Sequence, residues 1–163
     1  MNRAELLAMD DAALWGECMS DFRKGTRNGG QKLNKTSSAV RLFHAETGIS
    51  VNCFESRSQS VNRHLALQKL RFRIAVSQRC TLAESFKPEP APSISGKHYS
   101  QWIADLFDLI ASVNWDLKAA AVRAGISRSR LTKLIQRDPS LWREYLHESA
   151  KAQNEPEQNT TSR

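Results

Sequence analysis

Cysteine pairs, long apolar runs and, over one stretch, acidic residues are what this sequence lacks, and each shortage closes a class of function. Its three cysteines, Cys18, Cys53 and Cys80, are odd in number, widely spaced and form no C-x-x-C pair. They read as reduced thiols in a cytosolic protein, not as a disulfide framework. The four histidines, His44, His64, His98 and His147, show no ligand spacing, so neither a metal nor another cofactor is expected. No apolar stretch approaches the roughly 20 residues of a membrane span. The N-terminal MNRAELLAMDDAAL has acids inside its apolar stretch, unlike a secretory signal. With 163 residues, 40% of them hydrophobic, there is room for one medium domain or two small ones.

The missing acids leave a concentrated positive charge. The net charge is +7, yet residues 21–79 alone hold twelve Lys/Arg against three Asp/Glu. Residues 1–20 are net −3, residues 80–97 are neutral and residues 98–163 are net +1. A solubility device would be spread more evenly. One basic segment points to a polyanionic partner, either nucleic acid or a membrane surface. The membrane reading is the weaker, because the segment alternates at strand period and lacks an amphipathic anchor helix with bulky aromatics.

The pattern predicts an α+β unit followed by a helical one. Residues 3–19 read as a short helix with Leu6, Leu7, Leu14 and Met19 on its apolar face and an interruption at Asp10-Asp11. Met19–Lys24 reads as a brief strand. AVRLFH (Ala39–His44) and the alternation of Ile49, Val51 and Cys53 flank the turn Glu46-Thr47-Gly48, which predicts an antiparallel hairpin. Ser58 or Ser60 caps a helix to about Ser77, with Leu67, Leu70 and Ile74 as its stripe and Val61 and Leu65 extending it. SFKPEPAPSISGKH, with three prolines and a glycine, predicts an extended and mobile linker. Helices are then expected over Tyr99–Val113, over Leu117–Ala124, from Ser127 to Gln136, and from Pro139 to about Gln153. The expected division is 1–80, a linker 81–98, a helical domain 99–153 and a disordered tail 154–163.

The basic segment contains TRNGGQKLNKTSSAV, Thr26 to Val40. Gly29 and Gly30 open backbone angles closed to other residues and let main chain approach a partner closely. Gln31 follows, with a neutral amide that donates and accepts but is no general base near neutral pH. Such a loop suits positioning and dipole stabilisation, not proton abstraction. Arg23, Lys24, Arg27, Lys32 and Lys35 would hold it on phosphates. Taken alone, Asn28-Gly29-Gly30 reads more readily as a surface turn.

The neighbours of the loop change that balance. GGQ, then Asn34-Lys35-Thr36 with Ser38-Ala39-Val40-Arg41, then Thr47-Gly48-Ile49, then Arg57-Ser58-Gln59 with Asn62-Arg63, stand in one order and spacing. Together they resemble the catalytic domain of bacterial-type class I peptide-chain release factors, from about Asp21 to Leu70. The resemblance implies entry into the peptidyl-transferase centre of the large ribosomal subunit. It also implies hydrolysis of the ester between nascent peptide and P-site tRNA. By the same resemblance, Gly29, Gly30 and Gln31 are catalytic. The backbone N–H at Gln31 would stabilise developing charge, and the glutamine side chain would limit the nucleophile to water. Gln31 is implied as a target of N-methylation by a dedicated methyltransferase. Arg57, Ser58, Gln59, Asn62 and Arg63 are implied to lie by ribosomal RNA or to brace the loop, as is Asn34 beside RNA; Ser58 and Gln59 also read as a plain helix cap.

Arg27 and Asn28 depart from the family, which has glycine and then proline or alanine there. The departure leaves a second reading open, a non-catalytic ribosome- or RNA-binding module with a decayed loop. About thirty residues precede the loop, too few for stop-codon-reading domains, so the expectation is a monomeric, codon-independent rescue factor. The C-terminus bears Glu155 and Glu157 and no Lys/Arg run, which favours split large subunits or another targeted mode over channel seeking. Ala121, Gly125, Ile126, Leu131 and Leu134 fit helix-turn-helix spacing, with Arg128, Arg130, Lys133 and Arg137 on or near the exposed side of its second helix. A plain helical bundle or ribosome docking is the simpler reading of that segment, and a DNA-binding regulator the third.

Overall fold

A computed structural model describes residues 2–23, 38–81 and 86–154. They fall into two compact units, Met1–Gln78 and Arg79–Arg163. The glycine loop and all but the first residue of the tail expected to be disordered lie outside the described residues. The class is α+β: among the described residues there are three strands and seven helices.

In the first unit, α1 (Arg3–Ala8) and α2 (Asp11–Gly16) replace the single expected helix. Asp10 accepts the Ala13 N–H at 2.7 Å and so starts a new helix where a carboxylate can cap it. The chain turns to strand early. β1 (Cys18–Arg23) takes in Met19, which is 63% exposed and not part of a helical apolar face. β1 pairs antiparallel with β2 (Ala39–His44), and β2 with β3 (Ile49–Cys53), in the order β1-β2-β3. The hairpin turns at Gly48, whose φ of 69° is a left-handed angle that glycine adopts without cost.

One face of the sheet is buried under α3 (Gln59–Ser77). Val40, Leu42, Val51 and Cys53 meet Leu67, Leu70 and Ile74 there. Ser58 caps α3. Val61 does not extend the stripe: it is 46% exposed, and Asn62 and Ala66 are buried instead. The helical period explains this. Ala66 and Asn62 lie one and two turns before Leu70, whereas Val61 lies half a turn around the helix. α1 and α2 pack on the same helix. Arg71 binds Asp11 at 2.6 Å and the Met9 carbonyl at 2.9 Å.

The second unit is built on α4 (Tyr99–Ala111), buried on nearly every side from Trp102 to Ile110. Asn114 and Trp115 take positive φ of 52° and 63° in the turn that follows, and Trp115 meets Phe107 edge-on at 5.4 Å. α5 (Leu117–Ala124) and α6 (Arg128–Gln136) flank Gly125, at φ 69°, with caps from Asp116 and Ser127. α7 (Pro139–Asn154) begins at a proline, where no N–H is needed. The proline-rich stretch is more anchored than its composition implies. Pro88 is buried, and its carbonyl accepts from Trp102 Nε1 at 3.0 Å. Arg130 Nε donates to Glu89 at 2.5 Å, and Arg137 donates to the Pro92 carbonyl at 2.8 Å.

Candidate functional site

Gly29, Gly30 and Gln31 lie outside the described residues, as do Lys24, Arg27, Lys32, Asn34 and Lys35. The frame that holds them is described on both sides. Arg23 ends β1 and stands opposite Ala39, the first residue of β2. The loop therefore leaves and re-enters the sheet at neighbouring ladder positions. Its re-entry point, Ser38, is buried.

Asn62 is the clamp on that point. Its side chain is fully buried, with Nδ2 donating to the Ser38 carbonyl at 2.7 Å and to the Ser56 carbonyl at 2.8 Å. Oδ1 accepts the Ser56 N–H at 2.8 Å and faces Cys53 Sγ at 3.6 Å. Both amide hydrogens and the amide oxygen are thus used. One side chain on α3 ties the root of the loop to the turn between β3 and α3. A buried asparagine is tolerable only because it is satisfied in this way. Of the two roles expected of Asn62, contact with RNA or bracing of the loop, this is the geometry of a brace.

The other expected RNA contacts divide. Arg57, Ser58 and Gln59 are exposed in the turn and first residue of α3, at the same end of the sheet as the loop root. Ser58 Oγ accepts the Val61 N–H at 3.5 Å and lies 2.9 Å from Ser60 Oγ, so its capping role is present. Arg23 is exposed and paired with Asp21 at 2.6 Å. Arg63 points elsewhere. Its guanidinium lies 3.9 Å over the Trp15 ring, which stacks on Phe22, joining α3, α2 and β1. Sequence reasoning missed Ser38 and Ser56 as partners of the clamp. The available signal was a polar residue at a core position of an apolar helical stripe.

The electrostatics around this frame are those of bracing groups. Burial pushes the Cys53 thiol up, and its hydrogen bond to Glu55 adds to this. Burial also raises the Asp11 carboxyl, but the contacts from Arg71 and His64 outweigh it and hold Asp11 below the ordinary carboxylate range.

Two features of the second unit hold candidate ligand groups. On α7, Glu144, His147 and Glu148 bring donor atoms within 4.8 Å of one another, a set that the sequence reading did not pick out. His147 Nδ1 and Lys151 Nζ both approach Glu148 Oε1, at 3.2 and 3.0 Å, so an ammonium already serves that carboxylate. A cleft of about 340 Å³ is lined by Arg79, Cys80, Thr81, Asp108 and Arg123 among others. Arg79 is held there by buried Asp108, at 3.4 Å, and lies over Phe107. Among the described residues, no helix is long and apolar enough to cross a membrane.

Comparison with known proteins covers most of the first unit and reaches into the second. A family profile described as RF-1 domain matches residues 16–100, just over half of the chain. The chain is similar to a peptide chain release factor 2 of Acidovorax sp. strain JS42, 51% identical over 55 residues, which are 34% of this chain and 15% of that protein. It is similar to a chloroplastic peptide chain release factor of Arabidopsis thaliana, 29% identical over 120 residues, 72% of this chain and 24% of the relative. It is also similar to an uncharacterized mitochondrial peptide chain release factor-like protein of Saccharomyces cerevisiae. There the identity is 48% over 62 residues, 37% of this chain and 40% of the relative. The chain thus spans well under half the length of each of these relatives.

Proposed function

The chain belongs to the RF-1 domain family of class I peptide-chain release factors, and from that premise we propose that it promotes ribosome-dependent hydrolysis of the peptidyl-tRNA ester. Gly29, Gly30 and Gln31 are the catalytic residues of this reading. Water adds to the ester carbonyl while the backbone N–H at Gln31 donates to the oxygen on which negative charge develops; the bond to the tRNA ribose oxygen then breaks, one proton of the water ends on that freed hydroxyl and the peptide leaves with a carboxyl group. The glutamine amide, neutral throughout, restricts the nucleophile to water. Lys24, Arg27, Lys32, Asn34 and Lys35 hold the loop on RNA phosphates, with Arg23, Arg57, Ser58 and Gln59 around its root. The partners are the RNA of the peptidyl-transferase centre and the P-site peptidyl-tRNA. A glutamine methyltransferase is the partner for modification of Gln31.

The observation that carries the reading is the Asn62 clamp. Placing a backbone N–H against a reacting ester calls for fixed chain ends at the root of the loop. The ladder pair Arg23–Ala39 and the bond from Asn62 to the Ser38 carbonyl fix those ends.

We propose further that release proceeds without codon reading, as in ribosome rescue. The test is release of labelled peptide from three particles: ribosomes at a stop codon, ribosomes on a truncated message, and isolated large subunits carrying peptidyl-tRNA. The expected result is release from one or both codon-free particles. Release confined to the stop-codon particle makes the protein a termination factor. Binding without release on all three supports the non-catalytic module, the reading that Arg27-Asn28 favours.

A further inference from the structure

The charge of the second unit is as uneven as that of the whole chain. Residues 98–163 are net +1, yet the stretch 117–137 holds Lys118, Arg123, Arg128, Arg130, Lys133 and Arg137 and no acid. All six are exposed on α5, on α6 or, for Arg137, at the end of α6. The neighbouring acids, Asp116 and Asp138, sit at the helix caps, where Asp116 accepts the Lys118 N–H and Asp138 the Ser140 N–H.

Three of the six cations are engaged within the unit. Arg123 donates to Ser112 Oγ at 3.0 Å. Arg130 and Arg137 hold Glu89 and the Pro92 carbonyl, so the proline-rich strap runs along two turns of α6. Leu131, Leu134 and Ile135 face inward. By the helical period, Ser129, Lys133 and Gln136 form the outward ridge, with Arg128 on one flank and the strap on the other.

We propose that the exposed side of α6 is a second RNA-binding surface, which lies on the phosphate backbone through Lys133 on the ridge and Arg128 on its flank, with the exposed Lys118 of α5 adding to the positive charge of the unit. The strap decides against groove reading. A DNA major groove is about 12 Å wide, and a helix with its side chains is already about 10–12 Å across. A strap fixed along one flank makes the body wider than the groove. Contact with phosphates from above needs no insertion and no base recognition. RNA is chosen over DNA on the ribosomal reading proposed above; the cationic surface itself stands independently of that reading.

The test uses the full chain and fluorescence anisotropy with a labelled RNA stem-loop, and a DNA stem-loop of the same sequence in parallel, titrated with salt. Arg128→Glu with Lys133→Glu is compared with a charge-matched control on α7, Arg143→Glu with Lys151→Glu. The α6 pair is expected to weaken RNA binding by about tenfold or more and to lower the slope of log affinity against log salt by about 1 per lost contact. The α7 pair is expected to leave both nearly unchanged. Circular dichroism checks the fold, and Arg128→Gln with Lys133→Gln replaces the reversal if it does not fold. Equal losses from both pairs, no loss from the α6 pair, or tighter binding to the DNA overturns the proposal. Gln31→Ala is expected to bind as wild type, so failure of the release activity and failure of this surface are read separately.

Discussion

Replacing Asn62 is the sharpest test of how the loop is held. Asn62→Ala removes three hydrogen bonds of 2.7, 2.8 and 2.8 Å from a fully buried side chain. The Ser38 and Ser56 carbonyls and the Ser56 N–H lose their amide partner. An unsatisfied buried group costs about 1–3 kcal/mol, so three that are partly rescued by water cost roughly 3 kcal/mol. A small unit has about 5–15 kcal/mol in all, and the loss lowers its midpoint by more than about 10 °C. Urea and thermal unfolding measure it. Asn62→Asp separates chemistry from volume. The introduced carboxylate turns oxygen towards two carbonyls, so the loss is as large at neutral pH. Its folded-state pKa is then raised, and stability returns in part as pH falls through that value, when the carboxyl regains a proton to donate. Peptide release should fall in both variants although the loop sequence is intact. If both variants lie within about 0.5 kcal/mol of wild type, below the cost of even one unsatisfied buried group, the clamp argument is wrong.

Thiol reactivity should follow burial: a maleimide labels Cys80 first and Cys53 last, since Cys53 is inaccessible and its thiol is raised by burial. Early labelling of Cys53 in the native protein would contradict the described core. Tyr99 is raised far above the ordinary phenol range by burial and by its hydrogen bond to Asp138, at 2.9 Å. Its contribution is therefore complete below the unfolded-state pKa and is lost as pH rises through the folded value. In an alkaline absorbance titration, Tyr99 should ionise only with unfolding; ionisation in the folded state refutes this. Asp11 is depressed, so its support is present above the unfolded carboxylate pKa and is lost as pH falls through the folded one. Because the pair with Arg71 is half-exposed, Asp11→Asn should cost under about 1 kcal/mol and should flatten the acid limb of a stability–pH curve. Arg63→Ala removes a guanidinium from the Trp15 face and should cost about 0.5–1 kcal/mol, read as a shift in urea midpoint and in Trp15 fluorescence.

Local signals made much of the fold legible. The β2–β3 hairpin follows from alternation and a glycine at the turn, signals that all lie between Ala39 and Cys53. The turn between α5 and α6 follows from Gly125 and from Ser127, which break and cap a helix by themselves. The misreadings were matters of tertiary choice. Val61 is more hydrophobic than Asn62, and only the phase set by Leu70 shows which of them faces the sheet. Three prolines and a glycine in fourteen residues predict a mobile strap. What anchors it are its own carbonyls and Glu89, bonded to Trp102, Arg130 and Arg137 at separations of 14, 41 and 45 residues. No window on the sequence spans such pairs. The residues of the candidate site are named from their order and spacing in the sequence alone, and Gly29, Gly30 and Gln31 lie outside the described residues. The support of the site was not legible, because the partners of Asn62 are backbone atoms that any residue could supply.

The central claim is that the glycine-glycine-glutamine loop acts on the ester. The most direct measurement is the single-turnover rate of peptide release on whichever particle wild type prefers, with Gln31→Ala and Gly30→Ala beside it. Loss of one transition-state donor typically costs roughly 100- to 1000-fold. A fall of that size in Gly30→Ala, which displaces the backbone, and a substantial fall in Gln31→Ala, with binding to the particle unchanged, are the predicted result. Release at the wild-type rate in both variants would contradict the account.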